Sequence, residues 1–494
     1  MPRPFRGAGV AARNEREGHG VSDFETDYLV IGAGAAGLAF ADALVAQGDA
    51  HVTLVDRRGL PGGHWNDAYP FVTLHQPAAF YGVASLPLGS GRKDSAGLNA
   101  GLYELASGPE ICGYYRRVLD HVLLPTGRVR WMPMSEVHED GRIECLVSGA
   151  VSRVTVRRRV VDAGYGGPRV PSTHTRGFEV AAGVRCVAPN ALPGLAVQAD
   201  GAPVPRRFVV LGAGKTAMDA CTWLLQTGVE PDAITWVVPR DAWLIDRTTT
   251  QNAPEFFEQA IGGQSRQMQA FAEASSLDDL FLRLEACGAL MRLDQTRLPR
   301  MFHLATMSRA EVELLRRIRH VVRLGRVRRL DAGAMTLDEG RVEVDPQALF
   351  VDCTASAVYP RPTQPIFQPG RIVLQLVRLP QPTFSAAVCA WVEAHVDDDA
   401  SRNRLCRTVP FPYRTEDYPR SMALTMMNQA EWSQHAELRA WMRQCRLDGF
   451  GRLMAEADRN DPAVRATLDA YRQSAMGAMA NIEKLMAARR AAPA

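Results

Sequence analysis

The chain has 494 residues, 46% of them hydrophobic and 22% charged, a balance ordinary for a soluble globular protein and a length too great for one compact core, so roughly two or three domains are expected. A net charge of +3 is too mild to argue for nucleic acid or an anionic membrane surface, and no apolar run reaches the roughly eighteen residues of a membrane helix. The nine cysteines are scattered without a CxxC pair, which weighs against a metal site or a dithiol reductase and fits reduced thiols in the cytoplasm.

Residues 1–24 are rich in Arg and Gly and carry no apolar core for a signal peptide, so a disordered extension is expected, with Val21 as a second candidate start of the native chain. The stretch YLVIGAGAAGLAFADALV follows, an apolar strand running into a helix through Gly32, Gly34 and Gly37 in GxGxxG spacing. In such a turn the first glycine permits the tight bend, the second lets backbone approach a pyrophosphate, and the third lets helix and strand pack closely. The helix N-terminus then offers free N–H groups to the phosphates. The next strand, HVTLVD, ends at Asp56, where a carboxylate suits ribose hydroxyls and repels a 2′-phosphate. These residues predict a site for FAD.

Downstream, ICGYYRRVLDHVLL reads as a helix, and VSRVTVRRRVVDAGY alternates as strand up to Asp162 and Tyr165. A Pro-rich linker over 166–205 leads to a second glycine turn, RFVVLGAGKTAMDACTWLL, with Gly212, Gly214 and Ala217 in the three places. The GKT within it is not a P-loop, because Val209 stands where that loop needs its first glycine. Lys215, one of three lysines in the chain, and Thr216 are candidates to hold a phosphate or ribose. The following strand, ITWVVP, ends at Arg240, whose planar fork suits a 2′-phosphate. This second site therefore predicts NADPH.

A helical insertion is expected over about 252–320, including EVELLRRIRHVV, with a return to the first unit through RVEVDPQALFVDCTAS. RIVLQLVR reads as a strand, FSAAVCAWVEAH as a helix, and the tail as helical throughout. The expected fold class is thus α/β, with two Rossmann-like dinucleotide-binding domains. The FAD domain spans 25–165 and 341–420, the NADPH domain 206–340, and a helical C-terminal region 421–494. Its long helices offer a face for a second copy, so a homo-oligomer is among the arrangements this sequence allows.

Several of these segments together resemble the class B flavin monooxygenases, which include N-hydroxylases and Baeyer–Villiger enzymes. RRGLPGGHWNDAYP, with Gly62, Gly63, His64 and Trp65, is similar to that family's GGTW segment, which lies against the flavin. WVVPRDAWLIDR is similar to its NADPH stretch, and Asp162–Tyr165 and Asp352–Ala355 are similar to its two interdomain linkers. Aligning Tyr69-Pro70 and Pro77 with the N- and S-oxidising members puts His75 where they carry an asparagine near the flavin's oxygen adduct, with Gln76 beside it. The resemblance implies an NADPH- and O2-dependent enzyme that passes one oxygen atom from a flavin C4a-hydroperoxide to a small molecule, with His75 and Gln76 as candidate catalytic donors. The FxGxxxHxxxW-like stretch of Baeyer–Villiger members is replaced by FEVAAGVRCVAPNALPGL, which moves the expected target toward nitrogen or sulfur. Two alternatives stay open at this point: an FAD- and NAD(P)H-dependent reductase, dehydrogenase or oxidase without oxygen insertion, and a nucleotide-binding protein without catalysis.

Overall fold

The computed structural model describes residues 22–196, 205–356 and 360–491. Two sheets organise it, the first parallel through its centre with antiparallel strands at its margins, the second parallel throughout. The first runs in the order Phe367–Gln368, Arg371–Val373, Val151–Asp162, Ser22–Ile31, Val52–Val55 and Val129–Met132, with a hairpin from Ser135–Val137 and Arg142–Cys145 attached to its long strand. The second runs His320–Val322, Ile234–Val237, Phe208–Leu211, Leu349–Asp352 and Cys186–Val187, parallel at every pairing. Its central strands are buried along their whole length, as expected where both faces of a parallel sheet are covered. Each sheet carries its glycine turn on a central strand, where the direction of strand succession reverses and opens a crevice beyond the carboxyl ends.

The helix after the first turn, Ala35–Val45, is almost wholly apolar because it is enclosed between the sheet and a second apolar helix, Pro382–His395. The helix after the second turn, Lys215–Gln226, buries Met218, Cys221 and Leu224 against the second sheet. A small sheet of Leu290–Met291, Leu244–Asp246 and Thr306–Met307 and a three-stranded meander over Val327–Asp331, Ala334–Leu337 and Gly340–Glu343 complete the second half. At the end of the chain, Pro462–Ala491 lies along Gly263–Glu273, where the Asn481 amide donates to the Phe271 and Ala274 carbonyls at 2.8 Å each. No helix among the described residues is long and apolar enough to cross a membrane.

Several expected boundaries move. The N-terminal extension does not reach residue 24, because Ser22, Asp23 and Phe24 already pair with Ser152, Arg153 and Val154; residues 1–21, including Val21, lie outside the described residues. The stretch 341–356 does not return to the first unit. Leu349–Asp352 pairs with Phe208–Leu211 and supplies the strand that the second sheet needs beside its glycine turn, and the chain rejoins the first sheet only at the hairpin of Phe367–Gln368 and Arg371–Val373. The 166–205 segment is not purely a linker, since Cys186–Val187 edges the second sheet and Glu179–Val180 edges the meander. Within the 252–320 insertion the helix Arg309–Leu315 stops early, and the β-branched pair that follows becomes the strand His320–Val322 alongside Ile234–Val237.

Candidate dinucleotide sites and the seam between them

The first glycine turn is as tight as its spacing predicts. A Cβ on Gly37 would stand 1.9 Å from the Gly32 carbonyl oxygen, so only glycine permits this approach of helix to strand. Gly63 has φ 58°, and a Cβ there would lie 2.9 Å from Gly34 Cα; the GGHW segment is therefore laid directly against the turn. The Gly62 N–H fixes that contact by donating to the Ala33 carbonyl at 2.8 Å. Asp56 is buried at its strand end and accepts from the Ala33 and Arg58 N–H groups at 2.8 Å each. A carboxylate has about four lone-pair positions, so two remain for ribose hydroxyls. Trp65 Nε1 donates to the Tyr81 hydroxyl at 2.7 Å, while the His64 ring lies 5.0 Å from that of Trp65. Burial, with help from the Arg58 charge, pushes the His64 imidazole down to about 4, so it is neutral at physiological pH.

The second turn repeats the design. Ala163 N–H donates to Ile31 O in the first unit and Cys353 N–H to Leu211 O in the second, each at 3.0 Å, so the Asp162–Tyr165 and Asp352–Ala355 segments flank their glycine turns in equivalent positions. Both turn helices begin at a glycine, Gly34 or Gly214, with no side-chain cap. Elsewhere Ser107, Ser276, Ser308, Asp398 and Asp448 cap helices with a side-chain oxygen. The first-turn N–H groups at the two glycine turns are thus left for an anion, which fits a dinucleotide pyrophosphate at each.

Between the turns lies a buried polar seam that the sequence did not announce. Tyr69, just after GGHW, donates its hydroxyl to Asp219 of the second unit at 2.6 Å. Burial and then the Asp219 charge hold the Tyr69 phenol well above its ordinary value, so it stays a donor. Phe71 stacks on Trp223 with ring centroids 5.2 Å apart. Lys215, expected at a phosphate, is instead ion-paired with Asp219 one helical turn along and is largely buried. Thr216 also faces the Tyr69 hydroxyl. Arg247 is wholly buried. Its guanidinium reaches Glu311 at 2.7 Å, the His75 carbonyl at 2.8 Å and Asn99 Oδ1 at 3.0 Å. Burial alone would raise the Glu311 carboxyl, but Lys215 and Arg247 outweigh it and keep it ionised below its ordinary value.

His75 and Gln76 sit at the edge of this seam. Burial, then the Lys215 and Arg247 charges, holds the His75 imidazole well below its ordinary value. Neither the His75 ring nor the Gln76 amide has a hydrogen-bond partner among the described residues, so both remain open donors. Arg240 lies just beyond the strand Ile234–Val237 and donates to the Tyr413 hydroxyl at 2.9 Å. Of the residues missed from sequence, Asp219 alone left a signal, its i, i+4 spacing from Lys215; Arg247, Glu311 and Tyr413 come from elements whose mutual placement only the fold supplies. A surface cleft of about 420 Å³ lined by Arg316, Arg319 and Arg323 lies beside His320–Val322 rather than on the seam.

Residues 30–79 match the family model of the NAD(P)-binding Rossmann-like domain. The uncharacterized protein Rv2000 of Mycobacterium tuberculosis is 46% identical over 453 residues, which is 92% of this chain and 83% of that protein. The chain belongs to the same family. Flavin-dependent monooxygenases are among the similar solved structures. One is the polycyclic ketone monooxygenase of Thermothelomyces thermophila, 14% identical, with TM-score 0.48 over 88% of this chain and 86% of that one. A bacillithiol disulfide reductase from Bacillus cereus is also similar, at 13% identity and TM-score 0.42 over 76% and 100% of the two chains.

Proposed function

We propose that this protein is an FAD- and NADPH-dependent monooxygenase that transfers one oxygen atom from O2 to a small molecule, at nitrogen or sulfur. The observation that carries this reading is the pairing of two uncapped glycine-turn helices with strand ends of opposite charge, Asp56 and Arg240, on either side of one buried seam. Gly32, Gly34, Gly37 and Asp56 would hold the adenosine half of FAD, with Gly63, His64 and Trp65 covering it. Gly212, Gly214 and Arg240 would hold NADPH. The side chains of Lys215 and Thr216 fix the second turn against Asp219 and Tyr69, while their backbone N–H groups, in the helix's first turn, would face the phosphates.

When bound, reduced flavin supplies the activation of O2, chemistry that no side chain of this chain provides. The protein binds, orients and dries. Phe71 on Trp223 and the buried Arg247–Glu311 pair close the seam against water. His75, held neutral, and Gln76 would offer N–H donors toward a bound flavin without adding a charge beside it. All nine cysteines carry free thiols, which fits cytoplasmic residence.

The decisive experiment is turnover under 18O2 with NADPH and a panel of amines, sulfides and ketones. Purified protein should be yellow, should consume NADPH and should place one labelled oxygen atom in an amine or sulfide product. Product lacking label, or turnover that continues anaerobically with another acceptor, would replace this reading by simple electron transfer.

A further inference from the structure

We propose that Tyr413 is a specificity-determining residue for the nicotinamide cofactor, forming with Arg240 a clamp for the 2′-phosphate of its adenosine; this rests on the NADPH reading above. Two arginines stand at the carboxyl ends of adjacent strands in the second sheet, Arg240 beyond Ile234–Val237 and Arg323 beyond His320–Val322. In a Rossmann unit this is where the adenosine ribose of a bound dinucleotide lies. Their charges are treated differently. Arg323 is neutralised twice, by Asp241 and by Asp294, each at 3.1 Å. Arg240 has no carboxylate partner among the described residues. What it has is Tyr413, whose hydroxyl oxygen accepts from Nη2 at 2.9 Å and whose ring lies 5.4 Å from the guanidinium carbon.

That contact fixes the arginine without consuming its charge. A phenol accepting through oxygen still has its own O–H to donate, and no acceptor among the described residues takes it. Arg240 and Tyr413 therefore present a cation with free N–H groups beside a hydroxyl donor, a set matched to a phosphate dianion. The ring of His303 lies tilted against that of Tyr413, with centroids 4.7 Å apart, and its buried Nε2 is likewise without a partner. Burial and then the Arg240 charge push this imidazole down to about 4, so it adds a neutral polar wall and no competing charge.

Tyr413 comes from outside the second sheet. It lies on the segment between the helices Asp399–Leu405 and Tyr418–Gln434, which folds back over the second unit. Its backbone is held there by Phe302 N–H donating to Tyr413 O at 3.4 Å, Thr415 N–H donating to Arg300 O at 3.2 Å, and Asp417 accepting from Tyr413 N–H at 3.1 Å. The side chain is thus delivered to Arg240 by a braced strand-like segment, as a selective contact requires.

The test is calorimetric binding of adenosine 2′,5′-bisphosphate and of 5′-AMP to the full chain, beside NADP+ and NAD+. Wild type should prefer the 2′-phosphorylated probe by at least about tenfold, the size of one hydrogen bond to a charged group. Tyr413→Phe, which keeps the ring, should lose most of that preference while binding 5′-AMP as wild type does. Arg240→Gln should lose the remainder. Equal weakening of both probes in Tyr413→Phe, or an intact preference, would overturn the clamp while leaving the cofactor reading in place. No preference in wild type would overturn both.

Discussion

His64, His75 and His303 share a state that an exposed histidine does not have: burial and neighbouring cations keep all three neutral. Each would bind a proton near 6.5 in the unfolded chain, whereas His64 and His303 do so in the fold only at about 4. The unfolded state therefore takes up more protons across that interval. Stability contributed by these groups is complete above pH 6.5 and is lost as pH falls toward about 4. Urea midpoints measured between pH 7.5 and pH 4.5 should fall along this window, and His64→Gln should make the fall shallower. A slope unchanged by that substitution would mean that His64 is not held neutral by its packing against Trp65 and Arg58.

At the scale of elements, the two glycine-turn units are joined less by their sheets than by the short segment after GGHW. Tyr69 meets Asp219 and Phe71 meets Trp223, so one loop of the first unit is seated on the turn helix of the second. A double-mutant cycle of Tyr69→Phe and Asp219→Asn should give a coupling of about 0.5–3 kcal/mol in chemical denaturation, the range for partners in one hydrogen-bond network. Additive losses would show that the contact carries no energy of its own. This seam also marks the boundary of what the sequence displays. Glycine spacing and strand-end charge are local, so both turns, Asp56 and Arg240 could be read directly from the chain. The placement of Leu349–Asp352 could not, because an apolar strand carries no mark of which sheet it completes. Lys215 was legible as unusual, but its partner depends on the face that the helix turns toward Tyr69. The early end of Arg309–Leu315 is tertiary pairing overriding a helical pattern.

For the whole molecule, Arg247 is the point on which distant segments converge. Its guanidinium joins His75 and Asn99 from the first half to Glu311 and the Thr306 carbonyl from the second, with the arginine side chain 1% exposed and that of Glu311 12%. Removing one partner of such a pair leaves a buried charge uncompensated, at a cost of about 3–5 kcal/mol. Replacing both by uncharged groups of similar shape costs much less, because the desolvation of each ion disappears with it. Arg247→Met should accordingly lower the unfolding free energy by about that amount, and Arg247→Met with Glu311→Gln should recover a substantial part, measured by denaturant titration of the full chain. Lys215 sets the size of the recovery, since it also lies in the field of Glu311 and keeps part of that carboxylate's compensation when Arg247 is gone. A double variant no more stable than Arg247→Met would assign the loss to the bonds to His75 and Asn99, making Arg247 a brace for the loop that carries the candidate donors. Recovery in the double variant would instead show that charge balance holds the two nucleotide units together.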